Sequence, residues 1–344
     1  MSGATGHPVP LAGKRVLITG ARGFLGSHLR DALQTSGAEL HGLVRALPPK
    51  IGGPAGIRWW KADASDAAAV ERVIGTIKPD IIFHMTSHAW GAPDLDKVLP
   101  TLQDDLVATV NVLTSAVRAQ VQRVVTTGSM QEPALIGDHG TPCSPYAAAK
   151  AAGGMYARMF HQVFALPVVV VRPFMVYGPG QAPSKVIPYM IRSFMDDESP
   201  KIADGSQGVD WVYIDDVIDG LIKAATTPGI EGRTLEVGSG QAVPLATVAD
   251  EIAALVPTSR QPEFGACARP LERLQVADAE TTWRVLGWRA EIPMREGLRR
   301  TVEYWRAQRS AASTSRAALW GGVSANLLTL GEFARDASLS FNFS

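Results

Sequence analysis

Tyr146 and Lys150 lie four residues apart in Tyr-Ala-Ala-Ala-Lys, a spacing that puts a phenol and an ammonium on one face of a helix. A phenol with an ordinary pKa of about 10 exchanges protons poorly at neutral pH. A neighbouring cation stabilises the phenolate and brings the group into a working range. The pair therefore reads as acid–base chemistry at a carbinol or ketone carbon. Just upstream, Thr126-Thr127-Gly128-Ser129 closes an apolar run. A hydroxyl there, on Ser129 with Thr127 as its rival, is placed to donate to a substrate oxygen. Taken alone, a Tyr–Lys pair is common on solvated helices, so its weight depends on what else the chain carries.

A second motif supplies that weight. Gly20-Ala-Arg-Gly23-Phe-Leu-Gly26 follows the apolar run Val16-Leu-Ile-Thr19 and opens a segment with helical periodicity. Strand, glycine turn and helix together form a pyrophosphate cradle. The first glycine makes the turn, the second lets backbone approach the anion, and the third allows close helix–strand packing. The helix N-terminus adds free N–H groups and a positive dipole end. The second strand ends in Leu43-Val44-Arg45 without the acid that takes adenosine ribose hydroxyls. Arg45, helped by Arg22, is thus expected to meet a 2′-phosphate, which favours NADP over NAD; the alternative is a solvated surface arginine. Asp63, after the third strand, either accepts from an adenine amino group or caps the helix that follows.

The elements needed to position these groups are present. Apolar runs at 14–19, 39–44, 57–61, 81–84, 123–127 and 168–172 read as strands. Helical stretches at 24–33, 67–77, 102–119 and 146–164 lie between most of them. Strand alternating with helix implies an α/β fold, a doubly wound Rossmann parallel sheet. Residues 14–178 form the expected dinucleotide-binding domain. Past Gly178 the elements shorten, and 179–309 reads as a smaller C-terminal substrate-binding subdomain, with segments free to return to the main sheet. The tail 310–344 has no evident role.

The glycine turn, the Ser129 strand end, Tyr-x-x-x-Lys, the run from Arg172 through Tyr177-Gly178-Pro-Gly and the stretch Asp210-Trp-Val-Tyr-Ile-Asp215-Asp216 resemble the extended short-chain dehydrogenase/reductases. The likeness is greatest to their nucleotide-sugar epimerase, dehydratase and reductase branch, and it spans about Lys14 to Trp305. It implies a Ser129–Tyr146–Lys150 triad. It also implies a cofactor cradle of Gly20, Gly23, Phe24, Leu25, Gly26, Asp63, Ala64, Met85, Thr86, Ser87, Thr127, Pro173, Phe174 and Val176, with substrate contacts from Ser129, Met175, Val186 and Arg269. Dimerisation through the Tyr-bearing helix is common in such proteins, so a homodimer is expected.

Departures qualify the likeness. Met175 stands where relatives often carry Asn, and neither Gln207 nor Val209 supplies the arginine that clamps a diphosphate; Arg269 matches a second such arginine. Asp105 replaces an asparagine. The acid that dehydratases place shortly after the strand end falls on Gln131, an amide without a useful proton. Glu132, one further on, would point to the opposite face of an extended chain. Sugar 4,6-dehydration is therefore disfavoured. The expected activity is reduction of a 4-keto sugar or epimerisation of a nucleotide sugar. The competing readings are an NADP-dependent reductase or dehydrogenase of a non-nucleotide carbonyl or alcohol, and a binding scaffold, against which the Tyr–Lys pair argues.

Bulk properties agree with an enzyme of small molecules. Of 344 residues, 46% are hydrophobic and 19% charged, with 33 Lys plus Arg against 33 Asp plus Glu. A chain without basic excess has nothing to neutralise a phosphate backbone, so no nucleic-acid partner is expected. Two distant cysteines, Cys143 and Cys267, suggest a reduced, cytoplasmic setting, and no metal site is expected. No apolar run is long enough to span a bilayer, and no signal-peptide profile opens the chain.

Overall fold

The computed structural model describes residues 11–48, 56–133, 140–266 and 275–320. In chain order, β1 (Arg15–Thr19) leads through the glycine turn into α1 (Phe24–Leu33), followed by β2 (Glu39–Val44), β3 (Ile57–Lys61), α2 (Ala67–Ile77) and β4 (Ile81–His84). Then come α3 (Val98–Thr101), a π-helical segment (Leu102–Val107), α4 (Ala108–Arg118), β5 (Arg123–Thr127), α5 (Pro145–Phe164), β6 (Val168–Pro173) and β7 (Met175–Tyr177). The remainder holds α6 (Val186–Met195), β8 (Lys201–Ile202), β9 (Gly208–Tyr213), α7 (Ile214–Thr226), β10 (Thr234–Val237), β11 (Ala242–Pro244), α8 (Leu245–Leu255), β12 (Glu263–Phe264), α9 (Ala279–Leu286) and α10 (Met294–Trp320).

Seven strands form one parallel sheet in the order β10-β6-β5-β4-β1-β2-β3, a doubly wound arrangement that reverses direction between β1 and β4. Alternate residues of each strand feed opposite layers, as the period of a strand requires. Val16, Ile18, Phe83 and Val125 join the core under α1 and α7. Leu17, Ile82 and Val124 join the one under α2 and α4. Burial on both faces explains why these strands read as unbroken apolar runs.

The register aligns the carboxyl ends of the strands. Thr19 is level with His84, His84 with Thr126, and Thr127 with Val171. The glycine turn, the Met85–Ser87 segment and Ser129 therefore emerge at one edge of the sheet. Helix ends follow local chemistry. Asp66 caps α2 through the amide of Ala69, and Ser144 caps α5 through the amide of Ala147, with Pro145 in the first turn. That second cap sets Tyr146 in the opening turn of α5.

One feature departs from the sequence reading. The helix expected over 102–119 is regular only from Ala108; Leu102–Val107 is a π-helical segment, a local widening that often accompanies functional sites. The chain beyond 178 contributes β10, whose Leu235 pairs with Val171 of β6, to the main sheet. Of its other strands, β9 and β11 join β7 in a small sheet β11-β9-β7, and β8 pairs with β12. The carboxylate of Asp210, fully buried, receives the amides of Ser239, Gly240 and Ala277 at 2.7, 3.0 and 2.9 Å, fixing the loop after β10. Helix α10 continues through Trp320, past the point where the sequence offered no account. Among the described residues no helix is long and apolar enough to cross a membrane.

Candidate active site

The turn after β1 can be built only from glycine at two of its positions. Gly20 has φ of 65°, and a Cβ there would lie 2.9 Å from the Met85 carbonyl oxygen; a Cβ on Gly26 would collide with the Gly20 carbonyl. Gly23 donates its amide to the Gly20 carbonyl at 2.8 Å. Gly23 is the N-cap residue of α1, and no side chain caps that helix, so its first amides are available to an anion.

A cleft of about 360 Å³ opens on this turn. Gly20, Arg22, Gly23, Arg45, Asp63, Ala64, Met85, Thr86 and Ser87 line it, all of them expected from the sequence, together with Leu43, Val44, Ala46, Ala62, Asp104 and Ala108. A glycine turn, uncapped amides and a cleft running from the end of β2 to the end of β4 fit the adenosine-diphosphate half of a dinucleotide. Asp63 does not cap α2, since Asp66 does. Its Oδ1 instead receives the Ser65 amide and hydroxyl at 2.9 and 2.8 Å, and the Ser65 amide bond foremost lowers its pKa below the ordinary value. Phe24 and Leu25 pack partly buried against the core.

Arg45 is where the sequence reading needs correction. Its Nη1 bonds both carboxylate oxygens of Asp104, at 3.2 and 3.0 Å. Arg22 donates to the Ala46 carbonyl. The guanidinium expected to take a 2′-phosphate thus already carries an acidic partner on the cleft wall. That carboxylate would repel a phosphate placed between them. Asp104 sits 59 residues from Arg45, and only the π-helical segment brings it across.

Tyr146 and Lys150 meet under the end of β5. The Lys150 ammonium lies 5.8 Å from the centre of the Tyr146 ring and donates to the Thr127 carbonyl and hydroxyl at 3.2 and 3.3 Å. The Ser129 side chain lies close enough to the Tyr146 phenol to favour its ionised form. The three residues of the expected triad are therefore together, all buried, and Thr127 serves as a lysine anchor. Burial raises the Tyr146 pKa above its ordinary value. The Lys150 charge opposes that rise, Asp105 adds to it, the Ser129 side chain opposes it and Glu132 adds to it.

Several groups at the site had no role assigned from the sequence. Asp105, buried in the π-helical segment, lies 3.5 Å from the Lys150 ammonium and accepts from the Ser87 hydroxyl at 2.5 Å and the His88 amide at 3.1 Å. His84 links this segment to the glycine turn. Thr109 donates to the Asp105 carbonyl at 2.5 Å, so its oxygen accepts from His84 Nε2–H at 3.1 Å, and the Thr19 hydroxyl donates to His84 Nδ1 at 2.8 Å. Burial foremost, and then the Lys150 charge, push the His84 pKa down to about 3, so the ring is neutral at physiological pH.

The chain after Ser129 turns rather than extends. The Glu132 amide donates to the Ser129 carbonyl, and the Glu132 carboxylate folds back to accept the Ser129 amide at 2.7 Å. The extended backbone expected after Ser129 is thus absent, and Glu132 is held instead by Arg172 at 2.9 Å. Pro173 ends β6, and Phe174, buried, donates its amide to the Val237 carbonyl. Met175 and Val176 of β7 line a separate small recess with Gln181, Lys185, Val186 and Trp211. Arg269 lies outside the described residues, as does Cys267.

This geometry has counterparts among known proteins. Residues 16–238 match the family model for the NAD dependent epimerase/dehydratase family. The UDP-glucose 4-epimerase of Mycolicibacterium smegmatis is 30% identical over 313 residues, covering 85% of this chain and 98% of that protein. Among solved structures, MoeE5 in complex with UDP-glucose and NAD superimposes with a TM-score of 0.75 at 28% identity, covering 86% of this chain and 99% of the other. The UDP-glucose 4-epimerase of Thermotoga maritima, crystallised with UDP-glucose, shares the fold with a TM-score of 0.79 at 22% identity and the same coverage. This chain therefore belongs to the NAD dependent epimerase/dehydratase family within the extended short-chain dehydrogenase/reductases.

Proposed function

We propose that this protein is an NAD-dependent nucleotide-sugar oxidoreductase that interconverts a sugar hydroxyl and a ketone, with epimerisation at a sugar carbon as its activity. The observation that carries this reading is the burial of Tyr146 against Lys150 and Ser129 at the same sheet edge as the glycine turn. The residues proposed for catalysis are Tyr146 as acid–base, Ser129 as donor to the substrate oxygen and Lys150 as the cation beside the phenol. Gly20, Gly23, Asp63, Ala64 and Met85–Ser87 are proposed to hold the dinucleotide. A nicotinamide ring, when bound, supplies the hydride acceptor. Tyr146 takes the hydroxyl proton as the ketone forms and returns one as it is reduced.

NAD replaces the expectation of NADP because Asp104 engages Arg45 on the cleft wall, and because relatives such as MoeE5 are seen with NAD. Nucleotide sugars are proposed as substrates from the same relatives, with Met175, Val186 and Arg269 as candidate contacts. Water elimination is disfavoured, since Glu132 is committed to Arg172 and the Ser129 amide and its neighbour is the amide Gln131. A homodimer is supported by an apolar face on α3, the π-helical segment and α5, where Leu99 and Met155 are 68% and 60% exposed. A second copy would cover that face.

Incubation of purified protein with NAD and UDP-glucose, UDP-galactose, UDP-glucuronate or dTDP-glucose, followed by NMR of the sugar, tests the reading. Appearance of the C4 epimer is expected. Stoichiometric consumption of reduced coenzyme by a 4-keto sugar, with no epimer, would favour the reductase instead. Accumulation of a 4-keto-6-deoxy sugar would show a dehydratase.

A further inference from the structure

Lys150 is buried with a carboxylate close by. Its ammonium lies 3.5 Å from Asp105 Oδ1, and neither side chain has appreciable exposure, 6% and 0%. The carboxylate is itself held in place: Ser87 donates to it at 2.5 Å and the His88 amide at 3.1 Å. The backbone that presents Asp105 is the π-helical segment, pinned by Thr109 and His84 to the strand that precedes the glycine turn. An asparagine here would drop the charge and keep an acceptor for one of the two donors, since its amide nitrogen cannot accept. Asp105 introduces a full negative charge next to the cation on which the Tyr146 phenol depends.

We propose that Asp105 is a positioning residue for the Tyr146–Lys150 pair, holding the ammonium under the Thr127 strand end and partly offsetting its charge, so that the phenol ionises at a higher pH than it would beside an uncharged residue at 105. This rests on the reading of Tyr146 as the acid–base group. The charged groups facing the pair come from four elements: Lys150 from α5, Asp105 from the π-helical segment, Glu132 from the turn after β5, and Arg172 of β6 behind Glu132. His84 of β4 faces the lysine but is neutral. Glu132 is balanced by Arg172 at 2.9 Å, which leaves Asp105 as the carboxylate that bears on the lysine. Tyr146 lies above its ordinary pKa with burial as the first cause, and Asp105 adds to the rise while Lys150 opposes it. A charge within about 4–6 Å of its partner moves a titration by 1–3 units, so a charge acting through the lysine should move the phenol by about one unit.

The test is a near-ultraviolet titration of phenolate absorbance in the full-length protein, taken as the difference from Tyr146→Phe and compared between wild type, Asp105→Asn and Asp105→Glu. Asp105→Asn is expected to lower the Tyr146 midpoint by about one unit, while Asp105→Glu, which keeps the charge, leaves it near the wild-type position. Because no substrate is present, this readout stands whether or not a nucleotide sugar is turned over. In the active enzyme the pH midpoint of kcat/KM for alcohol oxidation should move down by the same amount. An unchanged Tyr146 midpoint in Asp105→Asn would overturn the proposal and leave Asp105 a packing residue. Asp105→Ser, which also removes the charge, supplies an independent reading should the asparagine variant not fold, and an unchanged midpoint there would equally contradict an offset lysine.

Discussion

The carboxylate of Glu132 lies 2.9 Å from Nη2 of Arg172 while its other oxygen receives the amide of Ser129 at 2.7 Å. One side chain thus ties the turn carrying the Ser129 hydroxyl to the end of β6. The other arm of the guanidinium reaches Glu236 of β10 at 2.9 Å, and Glu236 accepts the Asp278 amide at 2.8 Å. The site and the C-terminal part of the chain share one charge network.

Arg172→Met should destabilise the protein by about 3–5 kcal/mol, because it leaves two largely buried carboxylates without their cation. Glu132 and Glu236 side chains are 5% and 22% exposed, so solvent relieves little of that cost. Urea unfolding followed by circular dichroism measures it. A loss within about 0.5 kcal/mol, the range of ordinary surface changes, would mean that the network is not structural.

Coenzyme preference should follow Asp104. Wild type is expected to bind NADH more tightly than NADPH, and Asp104→Ala, by releasing Arg45, should shift the ratio of the two Kd values toward NADPH by about tenfold or more. A charge-assisted hydrogen bond of about 1.5–3 kcal/mol underlies that figure. The gain should shrink with added salt, since Arg45 is exposed. Fluorescence titration with both reduced coenzymes reads the ratio, and an unchanged ratio would make the Arg45–Asp104 pair irrelevant to selection.

His84 should make stability fall as the solution is acidified. Its folded pKa of about 3 lies below the ordinary value of 6.5, so between those values the unfolded chain binds a proton that the native state refuses. The stability conferred by a neutral His84 is complete above about pH 6.5 and is lost progressively as pH falls toward 3. Each unit within that window costs up to about 1.4 kcal/mol. His84→Gln should flatten this slope while lowering stability at neutral pH, where the two threonine bonds are disturbed. Parallel slopes for the two proteins in urea unfolding from pH 7 to 5, roughly the window for a histidine, would contradict the assignment.

Much of this site was legible in the sequence because its parts are local. The glycine turn, the Tyr-x-x-x-Lys spacing and the strand end at Ser129 are each set within a few residues, by backbone conformation or by helical period. The strands were legible for the same reason, since Val16–Ile18 or Ile81–Phe83, buried on both faces, leave an unbroken apolar run. What escaped were relations between distant segments. Asp104 reaches Arg45, and Asp105 reaches Lys150, only through a widened helical turn that periodicity read as regular helix. Arg45 looked like a phosphate ligand because its partner stood 59 residues away. Glu132 was placed by assuming extended backbone, where the chain instead makes a turn closed by its own side chain. Asp105 was visible as a departure from asparagine, but its ion pair with Lys150 was not.

Tyr146 carries the proposed chemistry, and one comparison tests it most directly: wild type and Tyr146→Phe, each loaded with NAD, incubated with UDP-glucose and UDP-galactose and followed by NMR at C4. Wild type should interconvert the two. Tyr146→Phe should bind NAD with an unchanged Kd and lose activity by about 10²- to 10⁴-fold or more, the range for removal of a general acid–base. Epimerisation by Tyr146→Phe at the wild-type rate would contradict the account.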